Sequence, residues 1–162
     1  MAIEIERKFL VQGESWRSLV RGKRYIQSYI PTQDLTTVRI RIAGNEAYLT
    51  IKGKNQGMVR TEFEYAIPLE DAEQMLATLC RPPFIEKIRY RIPQENWVWE
   101  IDEFKGANEG LILAEVELTS ETQAIALPEW IGEEVTHDPR YYNANLVSHP
   151  YQSWSSDPLS EC

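Results

Sequence analysis

Charged and apolar residues alternate along most of this chain with a period of two, the spacing of a β-strand whose two faces differ. Residues 3–11 set Glu4, Glu6 and Lys8 against Ile3, Ile5, Phe9 and Val11. Residues 36–43 set Arg39 and Arg41 against Val38, Ile40 and Ile42. Gly44-Asn45 is a turn signal and predicts a hairpin partner over 47–52, with Tyr48, Thr50 and Lys52 opposite Ala47, Leu49 and Ile51. Residues 59–67 place Arg60, Glu62 and Glu64 opposite Thr61, Phe63, Tyr65 and Ile67. Residues 85–92 place Lys87, Arg89 and Arg91 opposite Ile88, Tyr90 and Ile92. Residues 97–104 place Glu100 and Asp102 opposite Trp97, Trp99 and Ile101, and residues 111–119 place Glu115 and Glu117 opposite Ile112, Ala114, Val116 and Leu118. With 24–30, eight strands are predicted.

Helices are few. A short one is predicted over 13–20. Pro68 opens a second, with Leu69, Ala72, Leu76 and Leu79 at helical spacing, and Pro82-Pro83 stops it. Asp138-Pro139 reads as an N-cap followed by proline, starting a last helix through about residue 147. Residues 53–57 form a polar loop. The chain loosens from about Ser153, which predicts one domain over 1–150 and a flexible tail over 151–162. Tight turns and short links imply antiparallel pairing. The predicted class is mainly β (α+β): a closed eight-stranded antiparallel barrel with a few flanking helices, with a two-sheet sandwich as the rival.

An exposed sheet face laced with weak surface ion pairs is the plain explanation for any one charged face. It fails when seven strands repeat the pattern, because Thr, Ser, Asn and Gln are scarce there and the apolar faces need cover too. If the apolar faces pack outward against helices, the charged faces meet inside. Desolvating so many ions is costly unless water, metal or a highly charged ligand neutralises them.

Composition narrows the rest. The 162 residues suit one domain, with 43% hydrophobic and 26% charged residues, ordinary for a globular protein. The formal net charge of −8 argues against nucleic acid and anionic membrane as partners, though not against a small polyanion. No apolar run approaches the roughly 20 residues that span a bilayer, and no signal-peptide pattern opens the chain. Cys80 and Cys162 make no disulfide framework or metal spacing, so a reducing cytoplasmic setting is expected. His137 and His149 sit near the last helix, where capping or packing is the expected role.

Metal-assisted phosphoryl transfer fits these faces. Carboxylates two residues apart (Glu4/Glu6, Glu115/Glu117, Glu62/Glu64) aim hard oxygen ligands in one direction, as Mg²⁺ or Mn²⁺ requires. Arg39 and Arg41 offer bidentate donors to phosphate, and Lys8, Lys52 and Lys87 offer point charges. No phosphate-binding glycine loop, dinucleotide fingerprint or nucleophile elbow is present.

Glu4-Ile-Glu6-Arg-Lys8 resembles the ExExK signature of the CYTH superfamily, the triphosphate tunnel metalloenzymes. The order that follows strengthens the likeness: Arg39-x-Arg41, Lys52, Glu62-x-Glu64, Lys87-x-Arg89, Asp102 and Glu115-x-Glu117. The resemblance extends to about residue 150 and is greatest to the compact bacterial branch. It implies an eight-stranded tunnel that binds triphosphate with Mg²⁺ or Mn²⁺. Lys8, Arg39, Arg41, Lys52, Lys87 and Arg89 would hold phosphates. Glu4, Glu6, Glu115 and Glu117 would hold metal, with Asp102, Glu62 and Glu64 as further metal candidates. Glu4, Glu6 and Lys8 form the expected catalytic group. Arg91 and Glu100 share the inward parity without an assigned role.

Members of this superfamily hydrolyse inorganic or thiamine triphosphate, remove the terminal phosphate of RNA, or make cyclic AMP as class IV adenylate cyclases. Tyr25, Tyr29 and Tyr48 offer aromatic surface for an organic group, yet such tyrosines on strands usually pack. The expected activity is therefore metal-dependent inorganic triphosphatase. The alternatives are a cyclase, a thiamine or nucleoside triphosphatase, or a non-catalytic polyphosphate-binding module. Oligomeric state is open, a homodimer included.

Overall fold

The computed structural model describes residues 3–54, 56 and 58–156. The polar loop at 53–57 is therefore covered in part, and residues 157–162, with Cys162, lie outside the described residues. The strands are β1 (Ile3–Val11), β2 (Lys23–Ile30), β3 (Thr37–Ala43), β4 (Glu46–Lys52), β5 (Val59–Ile67), β6 (Ile85–Gln94), β7 (Trp97–Phe104), β8 (Ile112–Glu117) and β9 (Ile131–Glu134). The helices are α1 (Leu69–Thr78) and α2 (Asn143–Ser148). Every pairing is antiparallel, in the order β5-β4-β3-β2-β6-β7-β8-β1-β9, and β5 pairs again with β1 to close the ring. The result is the predicted eight-stranded barrel with one strand added.

Closure depends on β1 being shared along its length. Ile3–Ile5 pair with Thr61–Val59 of β5, while Phe9 and Val11 pair with β9 on the same edge, and on the other edge Glu6–Leu10 pair with Glu117–Leu113 of β8. Arg7 on the outer face fixes β9 through a two-point contact with Glu134, its Nε and Nη2 donating at 2.9 and 2.7 Å. The turn at Gly44 has a φ of +62°, the left-handed conformation that the β3–β4 hairpin needs.

The outward faces are apolar and, except on β5 where Phe63 and Tyr65 stay exposed, covered as the alternation predicts. Phe9, Trp99, Ile101, Ala114 and Val116 pack under Trp16, Leu118, Trp130 and Ile131. On the opposite side Ile40, Ala47 and their partly buried neighbours pack under Ala72, Leu76 and Cys80 of the α1 region. A third cluster differs in kind. Ile85, Phe104, Leu111 and Leu113 carry the inward parity of their strands yet join Val135, Tyr141, Leu146 and Trp154, so one end of the barrel is closed by hydrophobic packing.

Several local expectations change. The helix expected over 13–20 is only a 3-10 turn at Ser15–Ser18, because one buried anchor suffices: Trp16 is fully buried and its indole N–H donates to the Gly13 carbonyl at 3.0 Å. The last helix is split. Asp138 does cap a proline-led turn, accepting from Arg140 N–H, but Tyr142 is extended at φ −72° and ψ 132° and separates that turn from α2. Tyr151–Ser156 continues as a 3-10 helix and buries Trp154 against Tyr141 and Tyr151, so a loose end from Ser153 does not hold for Trp154. Trp154→Ala should cost ~3 kcal/mol in chemical denaturation. An unchanged midpoint would show that the end of the barrel closes without it. Among the described residues no helix is long and apolar enough to cross a membrane.

Candidate functional site

Inside the barrel the charges are segregated. β1, β7 and β8 form an acidic wall with Glu4, Glu6, Glu100, Glu115 and Glu117, since the register sets Glu6 beside Glu117 and Glu115 beside Glu100. β3 and β6 contribute Arg39, Arg41, Lys87 and Arg89 to a basic wall. β2 lies between them and sets Tyr25 beside Lys87, Gln27 beside Arg41 and Tyr29 beside Arg39. β4 and β5 complete the ring with Lys52, Arg60, Glu62 and Glu64. These side chains surround a cavity of about 900 Å³.

Lys8, Lys52 and Arg39 each reach toward an acid at more than 3 Å. Lys52 Nζ lies 3.1 Å from Glu4 and 3.6 Å from Glu62. Lys8 Nζ lies 3.4 Å from Glu115 and donates to the Tyr141 carbonyl at 3.0 Å. Arg39 reaches Glu64 at 3.4 Å and Thr50 at 3.1 Å, but its Nε is buried and has no hydrogen-bond partner among the described residues. Such an orphaned donor is costly unless an acceptor arrives. Arg41 Nε donates to Gln27 at 2.7 Å, and the guanidinium groups of Arg41 and Arg89 lie 4.8 and 5.0 Å from the Tyr25 ring centre. Tyr25 is thus committed to holding two arginines.

Asp102 sits apart from the other acids. It does not line the cavity. It takes Lys87 Nζ at 2.7 Å and both Nε and Nη2 of Arg89, at 2.7 and 2.8 Å. Asp102 and Lys87 are each 1% exposed. Of the other sequence-selected residues, Glu117 and Glu64 are exposed at the cavity rim and Arg60 is tied to the Gly53 carbonyl at 2.8 Å. Arg91 is largely exposed and pairs with Glu100 at 3.2 Å. His137 is exposed on the cavity wall, while His149 packs beside Trp154.

The electrostatics show two unmet needs. Burial pushes the Glu6 carboxyl well above its ordinary range, with Glu115 and Glu4 adding repulsion. Glu4 is raised by burial, then Glu62 and Glu115, against the pull of Lys52. Glu117 is raised by burial and by Glu4 and Glu100. For Glu115 burial acts upward, but Lys8, Arg89 and Lys87 outweigh it and hold the carboxyl well below its ordinary range. On the opposite wall burial lowers Arg41, and Arg39 and Arg89 push it the same way. Burial also lowers Lys87; Asp102 opposes this, while Arg89 and Arg41 reinforce it. Glu4, Glu6 and Glu117 of the acidic wall are thus short of positive charge, and Arg41 and Lys87 of the basic wall are short of negative charge.

A divalent cation fits the first need. Among the described residues no three His, Cys, Asp or Glu side chains already form a metal cage. A hard cation held by one or two carboxylates, with waters and phosphate oxygens completing its shell, requires none.

Sequence reading missed the neutral polar residues of the cavity. Gln27, Thr50, Thr136, Tyr142 and Asn143 position the cations or face the ligand space. The inward parity of β2 marks Gln27, once Tyr25 and Tyr29 are placed. Thr136, Tyr142 and Asn143 come from an irregular segment with no periodic signal.

The chain resembles proteins of known name. A family model described as the CYTH domain matches residues 2–151. An inorganic triphosphatase of Acetivibrio thermocellus is 47% identical over 154 residues, covering 95% of this chain and 99% of that protein. An inorganic triphosphatase of Nitrosomonas europaea is 39% identical over 153 residues, covering 89% and 96%. The crystal structure of the inorganic triphosphatase NE1496 matches with a TM-score of 0.60 at 36% identity, over 88% of this chain and 96% of that one. With its ExExK strand, closed barrel and facing charged walls, the chain belongs to the CYTH family.

Proposed function

We propose that this protein hydrolyses inorganic triphosphate, with Mg²⁺ or Mn²⁺, inside the barrel. The observation that carries the reading is the opposition of the walls: Arg41 and Lys87, short of negative charge, face Glu4, Glu6 and Glu117, short of positive charge. A linear polyanion with a divalent cation satisfies both. A non-catalytic polyphosphate binder would need only the basic wall, and its affinity would suffer from the carboxylates.

In this reading Arg39, Arg41, Arg89, Lys52 and Lys87 hold phosphate oxygens and fix the chain along the tunnel. Positioning and charge neutralisation are most of what phosphoryl transfer asks of a protein. Lys8, held between Glu115 and the Tyr141 carbonyl, offers its ammonium to the charge that develops on the cleaved linkage. Glu4, Glu6, Glu115 and Glu117 would hold the metal, and Glu62 and Glu64 extend that surface. When bound, the metal supplies polarisation of a phosphoryl oxygen and activation of water. Asp102 serves as counter-ion that aims Lys87 and Arg89 rather than as a metal ligand. Tyr25, covered by two arginines, is not free to stack an organic group.

The test is phosphate release from inorganic triphosphate, pyrophosphate, ATP and thiamine triphosphate, with each metal and with chelator, and cyclic AMP assayed in parallel. Inorganic triphosphate should give the highest kcat/KM, and chelation should abolish turnover. Preferred cleavage of an organic triphosphate, or metal-independent turnover, would overturn the reading. Arg41→Ala should lose roughly 1.5–3 kcal/mol of triphosphate affinity. Its ligand-free melting temperature should hold or rise, because one of three mutually repelling guanidinium groups is gone. A fall in stability with unchanged affinity would place Arg41 in packing alone.

A further inference from the structure

Asn143 opens α2 and brings a neutral amide to the cavity wall from a segment far from the signature strand. Its Oδ1 accepts from Lys87 Nζ at 2.8 Å and from Gln27 Nε2 at 3.2 Å. An ammonium has donors only, so the oxygen of this amide must face Lys87. The same logic fixes Gln27, which is fully buried: its nitrogen turns to Asn143 and its oxygen takes Arg41 Nε at 2.7 Å. Asp102 and Asn143 together occupy two of the three protons of Lys87, leaving one to meet a ligand. With Oδ1 committed twice, Nδ2 of Asn143 points the other way. Among the described residues neither of its N–H groups has a partner.

We propose that Asn143 is a phosphate-binding residue of the tunnel: its amide nitrogen donates to an oxygen of bound triphosphate, while its oxygen holds Lys87 and, through Gln27, Arg41 against the same anion. The proposal rests on triphosphate being the substrate. A neutral donor suits this position, since Arg39, Arg41, Lys87 and Arg89 already crowd the wall and another cation would add repulsion. The competing role is a tether that only docks α2 on the barrel.

Asn143→Asp separates the two. Aspartate keeps the size and the acceptor oxygen, so Lys87 and Gln27 remain held and the tether survives. It also replaces the two N–H donors with negative charge beside the phosphates. KM and kcat for inorganic triphosphate and the melting temperature should be measured for the parent, Asn143→Ala and Asn143→Asp. The expected result is a KM raised about tenfold or more in Asn143→Ala. Asn143→Asp should show a larger increase at an undiminished melting temperature. If Asn143→Ala does not fold, Asn143→Asp decides alone. An Asn143→Asp variant with the parental KM overturns the assignment while the substrate stands. A parent that neither binds nor cleaves inorganic triphosphate overturns the substrate and the assignment together.

Discussion

Asp102→Ala will destabilise the fold by about 3–5 kcal/mol, and its stability will recover disproportionately when a polyanion is added. The aspartate is buried between Lys87 and Arg89 and accepts three hydrogen bonds from them. Burial works against its charge, but Arg89 and Lys87 outweigh that and hold the carboxyl below its ordinary range. Without it Lys87 loses its paired carboxylate and Arg89 keeps only Glu100, at 3.4 Å, in a wall that also carries Arg39 and Arg41. Breaking a buried pair costs far more than the pair contributes over an apolar substitute, because an uncompensated charge stays behind. Inorganic triphosphate should therefore raise the melting temperature of Asp102→Ala more than that of the parent. A variant that melts like the parent, or gains no more from triphosphate, would show that the three groups do not form one unit.

Glu6→Gln should separate folding from turnover in the opposite sense. The Glu6 carboxyl is raised by burial and by Glu115 and Glu4, so the protonated form is the one the fold favours. A raised carboxyl contributes stability that is full below its ordinary value of 4.5 and is lost as pH rises through the folded value. Above 4.5, without metal, the Glu6 carboxyl is therefore a burden that glutamine removes. Metal-free Glu6→Gln should melt at or above the parent, with the difference growing as pH rises above 4.5. Its turnover should fall by at least about 100-fold, because an amide offers no charge to a hard cation. The stabilisation of the parent by Mg²⁺ or Mn²⁺ should shrink in the variant. The same exchange at Glu115 reverses the stability sign, since that carboxylate is held well below its ordinary range by Lys8, Arg89 and Lys87. Retained turnover and an unchanged metal response in Glu6→Gln would refute the role of the acidic wall.

The barrel was legible because its strands obey one physical rule. An apolar face needs cover and a charged face needs a partner, so Arg39 and Arg41 on one strand and Glu115 and Glu117 on another could be assigned to one interior without coordinates. β9 escaped because its four residues, Ile-Gly-Glu-Glu, are too few to display a period. Trp154 escaped because its neighbours Ser153, Ser155 and Ser156 read as loose chain. A single aromatic filling the end of a barrel leaves no periodic trace. Asp102 was found, but not its depth: parity gives only the direction of a side chain, and depth separates a buried counter-ion from a residue that reaches the cavity. Asn143 left no trace either, since an uncharged residue on an irregular segment acquires meaning only beside Lys87 and Gln27.

The placement of β1 has a consequence for how the molecule assembles. That strand carries Glu4, Glu6 and Lys8, yet beyond Ile5 its two edges are supplied by β8 and β9, and the hydrogen bond from Lys8 N–H to Thr136 spans 128 residues of chain. Local hairpins such as β3–β4 can form early, while β1 waits for the far end of the polypeptide to be made. Contacts of such separation slow folding, because the loop entropy is lost before the contact returns anything. Until then β1 beyond Ile5 is an unpaired amphipathic segment, the kind that pairs with the wrong partner in a crowded cell. Closing the ring and bringing Glu6 and Lys8 beside Glu117 and Glu115 are one event. A partly folded chain consequently has no half-competent site, and activity reports directly on the fraction of molecules whose ring has closed.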